Sequence, residues 1–116
     1  MVRRNNERSS EVMQMFGGAG TAKRTRILEN NEELNGAGRL FSHIVLENGS
    51  EVGWHVHKGD TETYYVLCGR ALYNDNGTLV EIGPGDVTQV YSGEGHYVRA
   101  ISDEPLEMIA LILFDK

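Results

Sequence analysis

The chain has a single cysteine, no long apolar run and fewer basic than acidic residues, and each shortage excludes a class of protein. Cys68 alone cannot form an intramolecular disulfide, so a reducing, cytoplasmic setting is expected. No apolar segment reaches the roughly 20 residues that cross a bilayer, and none follows the basic N-terminus as in a secretory signal. A formal charge of 11 minus 17, or −6, is unfavourable for binding phosphate backbones. We therefore expect neither a membrane nor a nucleic-acid partner.

Length and one glycine-rich segment predict the domain organisation. At 116 residues, 40% of them hydrophobic and 24% charged, the chain is long enough for one globular domain. The run Gly17-Gly18-Ala19-Gly20 lacks the spacing of a phosphate-binding loop, so we interpret it as a flexible hinge. The predicted organisation is therefore an N-terminal arm, residues 1–20, followed by a single domain, residues 21–116.

The arm itself is polar with a short apolar end. It is expected to be frayed or to form a short helix capped by Ser9 or Ser10. Met15 and Phe16 at its end are expected to pack on a wall of the fold or on a partner subunit rather than to line a site.

Short runs of β-forming residues separated by turn signals predict an all-β sandwich or barrel without a long helix. The predicted strands include residues 21–28, 39–46, 70–73, 78–82, 87–91 and 106–114. Basic residues on the first of these favour an edge strand that resists strand addition. The last is almost continuously apolar, which predicts cover on both faces by sheet pairing or by a homodimer.

The segment from Gly49 to Gly69 carries the strongest functional pattern. His55 and His57 are two residues apart, so in an extended strand both imidazoles leave the same face. A turn after them would return the chain and bring Glu62 alongside. Two imidazoles and a carboxylate are typical ligands of a mononuclear transition-metal site, and His96 on a later strand is a fourth candidate. The alternative is an exposed histidine pair on a polar strand face.

The spacing of these residues resembles the first motif of the cupin superfamily. Five residues separate the first glycine from His-x-His, four separate the second histidine from Glu62, and six precede the closing glycine. Gly83-Pro84-Gly85-Asp86, followed ten residues later by His96, is similar to the second motif. Ala100 stands where the family has a terminal asparagine, which puts a substrate contact in doubt rather than a metal ligand. The resemblance covers roughly residues 40–114.

This resemblance implies a jelly-roll barrel, also called a double-stranded β-helix, and a homodimer. It also implies one divalent transition metal, with manganese, iron, nickel, cobalt and zinc all open. The residues that match the family's ligands are His55, His57, Glu62 and His96.

Other polar residues near this pattern are candidates for catalysis. Tyr64 shares the strand face of Glu62, where its phenol would donate a hydrogen bond or a proton, or would simply be a core tyrosine. His43 would be a substrate or supporting group if it faces the interior, and otherwise a packed histidine without a ligand role. Glu94 is a further acid–base candidate. Cys68 is interpreted as a small buried residue rather than a nucleophile.

Two functional hypotheses follow from this pattern. The first is a metalloenzyme acting on a small oxygen-containing metabolite as an oxygenase, decarboxylase or isomerase. The second is a non-catalytic small-molecule binding or sensing module in which the metal is structural. Both imply a small-molecule partner. A transcription factor's sensor domain is disfavoured because no helix-turn-helix segment accompanies the strands.

Overall fold

The computed structural model describes residues 1–116 and contains ten β-strands and one short 3₁₀-helix. The helix is Asn5–Glu7, and the strands are β1 (Ser10–Met13), β2 (Ala22–Leu28), β3 (Gly38–Leu46), β4 (Glu51–Val56), β5 (Asp60–Cys68), β6 (Ala71–Asp75), β7 (Thr78–Ile82), β8 (Val87–Val90), β9 (Gly95–Ala100) and β10 (Leu106–Phe114). The predicted all-β fold is confirmed. No helix of the chain is long and apolar enough to cross a bilayer.

The strands form two antiparallel sheets that enclose the core. The larger has the order β1-β2-β3-β10-β5-β8 and the smaller the order β4-β9-β6-β7. Alternate residues of each central strand point inwards, as a half-buried sheet requires. The core between the sheets includes Leu46, Val52, Val66 and Val98, all without solvent exposure. The architecture is the predicted jelly roll.

Two predicted turns have the backbone that their residues favour. Asn76 and Gly77 both have positive φ, at 48° and 108°, which is the primed turn that joins β6 to β7. In the next turn the Asp86 carboxylate accepts a hydrogen bond of 2.8 Å from the backbone N–H of Gly83. Asp86 is thus a turn-capping residue, as its place in the glycine–proline segment predicts.

The prediction of a frayed or helical arm is wrong between Ser10 and Met13. This segment is β1, which pairs antiparallel with β2, so β2 lies inside the sheet and is not the predicted edge strand. The Ser10 hydroxyl lies 2.8 Å from the Thr25 hydroxyl across this pair and caps no helix. Pairing with a strand distant in sequence decides the conformation here, and local propensity cannot reveal such pairing.

The glycine-rich segment after β1 is hydrogen-bonded to β4 instead of forming an open hinge. The backbone N–H of Gly53 donates to the Met15 carbonyl at 2.9 Å, and that of Glu51 donates to the Ala19 carbonyl at 2.8 Å. A side chain at Gly53 would collide with the Phe16 carbonyl oxygen, so glycine permits this close approach. The end of the arm therefore lies against β4.

The apolar strand β10 lies at the centre of the larger sheet, between β3 and β5. Sheet pairing, one of the two predicted explanations, accounts for its position. Within one chain β10 is covered on one face only, because its residues alternate between buried and partly exposed. The outer face of the sheet remains accessible to solvent.

Candidate metal centre

The structure brings together all four residues of the predicted ligand set. His55 lies on β4, His57 directly after it, Glu62 on β5 and His96 on β9, opposite His55 in the β4–β9 register. Gly59, with a φ of 78°, permits the turn that returns Glu62 towards the histidines. One potential ligand atom from each residue lies within 4.8 Å of the others. We call these four residues the His–Glu cluster.

Three residues of the cluster are buried, His55 is partly exposed, and the ligand atoms of all four face one another. Glu62 and His57 are each 4% exposed, and His96 is 1% exposed. The Nε2 atoms of His55 and His96 lie 3.0 Å apart. The Glu62 Oε1 atom lies 3.1 Å from His57 Nε2 and 3.0 Å from His96 Nε2. The Nε2 atoms and the carboxylate thus converge on one point.

Two of the imidazoles are oriented by acceptors at their opposite nitrogens. His55 Nδ1 lies 2.8 Å from the Gly53 carbonyl oxygen, and His57 Nδ1 lies 2.7 Å from Asp60 Oδ1. A carbonyl only accepts, and so does an ionised carboxylate, so each Nδ1 carries the hydrogen. In the neutral rings, Nε2 therefore presents a lone pair to the centre of the cluster.

Two buried tyrosines support His96. The Tyr73 hydroxyl lies 2.8 Å from His96 Nδ1, and burial raises the pKa of Tyr73 to about 12. The Tyr64 ring stacks on the His96 ring, with centroids 5.0 Å apart and an interplanar angle of 14°. Burial also raises the pKa of Tyr64 well above its ordinary value, so both phenols keep their protons at neutral pH.

The donor set fits a divalent transition metal. Lone pairs that face each other at 3.0 Å, or that face the Glu62 carboxylate, repel unless a cation or a proton lies between them. Burial opposes ionisation of Glu62, but its contacts with the three histidines hold its pKa well below its ordinary value. Burial lowers the pKa of His96, whereas the hydrogen bond with Glu62 raises that of His57. Three imidazoles and one carboxylate suit manganese, iron, cobalt, nickel or zinc.

Of the two predicted catalytic residues, the structure brings only Tyr64 to the cluster. His43 lies on the outer face of the larger sheet, where its Nε2 atom is 2.9 Å from Glu107 Oε1. Glu107 Oε2 accepts the thiol hydrogen of Cys68 at 2.8 Å, and this contact raises the pKa of that thiol to about 11. Cys68 is partly exposed rather than buried, but it remains a protonated thiol. The Glu94 carboxylate caps its own turn, at 2.8 Å from the Tyr91 backbone N–H.

A cavity of about 40 Å³ opens at the cluster. Its lining residues are Met15, Phe16, Arg24, Arg39, Leu40, His55, His57, Glu62, Tyr64 and Ile112. Met15 packs in the core as expected, but the expectation that Met15 and Phe16 line no site is wrong. The Phe16 ring stacks on His55 at 3.8 Å, and its φ of 53° is uncommon for a side chain of this size. A glycine run beside two apolar residues was the only sequence signal for this contact.

A larger cavity of about 360 Å³ lies between β7 and β8. Two of its three carboxylates already have partners, because Asp86 caps a turn and Glu81 pairs with Arg70 at 3.4 Å. The candidate metal ligands converge only at the smaller cavity.

Comparisons with known proteins agree with this architecture. A family model described as a cupin domain matches residues 42–112. An oxalate-binding protein of Thermotoga maritima is 38% identical over 114 residues, which cover 97% of this chain and 93% of that protein.

Solved structures of other proteins are also similar to the structure of this chain. The crystal structure of a predicted oxalate decarboxylase from Thermotoga maritima has a TM-score of 0.93 at 37% identity, covering 99% of this chain and 100% of that one. The polyketide cyclase RemF from Streptomyces resistomycificus has a TM-score of 0.74 at 17% identity, covering 100% of this chain and 81% of that one. The second likeness is one of fold alone.

Proposed function

The chain belongs to the cupin family, and from this premise we propose that it holds one divalent transition metal in the His–Glu cluster and acts there on a small oxygen-containing metabolite. The observation that carries the proposal is the orientation of the imidazoles. Gly53 and Asp60 fix the Nδ1 hydrogens of His55 and His57, so the Nε2 lone pairs converge beside Glu62. Such supporting contacts orient the ligands of known metal sites.

The relatives suggest which metabolite to test first. One is named an oxalate-binding protein and another a predicted oxalate decarboxylase. Oxalate is a small acid whose oxygens can bind a cation, and a cavity of about 40 Å³ favours a small ligand. When bound, a divalent ion supplies a Lewis acid that polarises such oxygens.

Residues of the chain itself position the metabolite and provide a proton donor. Tyr64 remains a phenol at neutral pH and lines the cavity, so it is the candidate donor of a hydrogen bond to a ligand there. Phe16 covers one face of His55 and reduces the access of water from that side. Decarboxylation, the reaction in the name of one relative, is the first of the proposed chemistries to be tested.

A non-catalytic binding module is the second candidate function. One observation favours it: apart from the cluster, only Tyr64 among the proposed acid–base residues lines the cavity. His43 faces the opposite side of the sheet and Glu94 is engaged in a turn. A catalytic role for His43 stays a prediction that this placement does not favour.

Metal analysis of protein purified without a histidine tag tests the site. We expect about one ion per chain, and we expect its loss in His57→Ala. His43→Ala is the matched control, since it removes a histidine outside the cluster and should leave the metal content unchanged. Full metal in His57→Ala, or equal loss in both variants, would contradict the assignment.

Incubating the metal-loaded protein with oxalate separates the two functions. Decarboxylation consumes one proton and yields one formate and one carbon dioxide per oxalate, so formate release measures turnover. Formate production that disappears in His57→Ala supports the enzyme. Tight oxalate binding with no formate supports the binding module.

A further inference from the structure

Arg39 occupies an irregular position on β3. Ile112 of β10 pairs with Leu40, and Leu113 pairs with Gly38, so Arg39 is the extra residue of a β-bulge. A bulge interrupts the alternation of side chains along a strand and redirects the extra residue. The side chain of Arg39 accordingly lines the cavity of the His–Glu cluster, although its neighbours on β3 keep their regular alternation.

The guanidinium of Arg39 has donors that the protein does not use. Its Nε atom donates to Asp60 Oδ2 at 2.9 Å, and neither terminal nitrogen makes a hydrogen bond. Arg24, the other arginine at the cavity, donates to Glu11 from both Nε and Nη2, at 3.1 and 2.5 Å. Arg24 is therefore matched by a carboxylate at close range, whereas the outer edge of Arg39 is available to a ligand.

Asp60 connects this arginine to the cluster. One of its oxygens accepts from Arg39, and the other lies 2.7 Å from His57 Nδ1. The Nε edge of the guanidinium is thus held at Asp60, next to the candidate ligand His57. A planar, oriented guanidinium matches the two oxygens of a carboxylate edge better than a flexible ammonium does.

We propose that Arg39 binds an acid oxygen pair of the metabolite held at the cluster and makes the site selective for small dicarboxylates. This inference rests on the proposed function and adds its substrate class. Oxalate has four oxygens, so a molecule that offers two of them to an ion keeps two for Arg39. Glycolate has one carboxylate and one hydroxyl, and it cannot offer such a pair. Arg39 is a specificity-determining residue in this proposal.

Calorimetric titration of the manganese-loaded protein with oxalate and with glycolate tests the proposal. We expect the wild type to prefer oxalate, and Arg39→Gln to reduce that preference at least about tenfold, as loss of a charge-assisted hydrogen bond predicts. Arg39→Lys keeps the charge without the fork and should retain part of the preference. Arg70→Gln is the matched control. Arg70 also makes one Nε contact with a carboxylate and is 50% exposed against 47% for Arg39, but it does not line the cavity.

Metal affinity, measured separately for each variant, distinguishes recognition from support. Unchanged metal affinity with a reduced oxalate preference supports the proposal. Equal weakening of metal, oxalate and glycolate binding would overturn it, because Arg39 would then act only through Asp60. Metal binding by a wild type with no preference for oxalate would overturn it while leaving the metal site intact. If the wild type binds no metal, the proposed function fails. Oxalate is then titrated into the metal-free wild type and the metal-free Arg39→Gln variant. Equal oxalate binding by the two proteins overturns the inference.

Discussion

At the scale of single residues, Asp60 has an influence that its position in the sequence does not reveal. It is 5% exposed and lies between Arg39 and His57. Burial opposes its ionisation, but hydrogen bonds from these two residues lower its pKa below the ordinary value. The resulting carboxylate accepts the Nδ1 hydrogen of His57 and leaves Nε2 free to bind a cation.

Replacing Asp60 with alanine is expected to weaken metal binding by about 10- to 100-fold, as loss of a carboxylate partner does at other histidine ligands. The imidazole of His57 would lose its fixed orientation, although all four candidate ligands remain. Competition with a chromophoric chelator measures the change in metal affinity. Asp60→Asn keeps an oxygen acceptor and should fall between the wild type and Asp60→Ala.

Asp103→Ala serves as the control for this substitution. Asp103 is exposed in the turn before β10 and has no hydrogen bond. Its replacement changes the net charge by the same amount as Asp60→Ala does. Equal metal affinity in Asp60→Ala and the wild type would show that Asp60 does not support the site.

The residues of the site differ in how well sequence reveals them. The two-residue period of a strand places His55 and His57 on one face. The turn after His57 then brings Glu62 beside them. Phe16 and Arg39 reach the cavity for other reasons, namely an arm that binds β4 and a bulge opposite β10. Both depend on contacts between segments far apart in the chain, which periodicity does not encode.

At the scale of elements, the first residues of the arm are held by an ion pair. Arg3 donates two hydrogen bonds to Glu33, at 2.9 and 2.7 Å, and thereby joins the arm to the loop between β2 and β3. The hydrogen bond from Arg3 and one from the Glu29 backbone lower the pKa of Glu33 from 4.5 to about 2. The ion pair is partly exposed, so its effect should be local to the arm.

Acid should release this end of the arm within a defined pH range. A pKa that is lower in the folded state contributes stability above the unfolded value of 4.5, and the contribution is lost as the pH falls towards about 2. NMR titration of the Glu33 carboxyl carbon should give this low value. In Arg3→Gln the pKa of Glu33 should rise towards 4.5, though not fully, because the Glu29 N–H still donates to it.

Arg8→Gln is the comparison for the arm, since Arg8 contacts Asn5 and not Glu33. It removes a positive charge from the same segment and should leave the Glu33 titration unchanged. A Glu33 pKa that is ordinary in the wild type, or equally shifted by both substitutions, would contradict the pairing.

At the scale of the whole molecule, most strands and turns could be predicted, but β1 and the arrangement of strands in the sheets could not. Asn76-Gly77 and the segment before β8 mark their turns by residue type alone. The place of β10 between β3 and β5, and the addition of β1 to the edge, depend on pairing across the whole chain. The family resemblance implied the jelly roll, but it did not predict the addition of β1.

The outer face of the larger sheet presents apolar side chains in register across adjacent strands. Ile109 lies between His43 on β3 and Tyr65 on β5, and Tyr65 in turn lies opposite Val87 on β8. Tyr65 is 45% exposed and Val87 is 64% exposed. The homodimer predicted from the sequence would cover this face, since apolar patches that are contiguous often mark an interface.

If this face joins two copies in a symmetric contact, a charge at its centre should separate them. Ile109→Glu would place a carboxylate opposite the same surface of the second copy, where burial without a partner is costly. Sedimentation velocity over a range of concentrations should show a dimer for the wild type and a monomer for Ile109→Glu. Leu79→Glu, at a 62% exposed position on β7 of the smaller sheet, should remain dimeric. A wild type that stays monomeric would exclude the interface. A dimer that Leu79→Glu disrupts and Ile109→Glu does not would place the interface elsewhere.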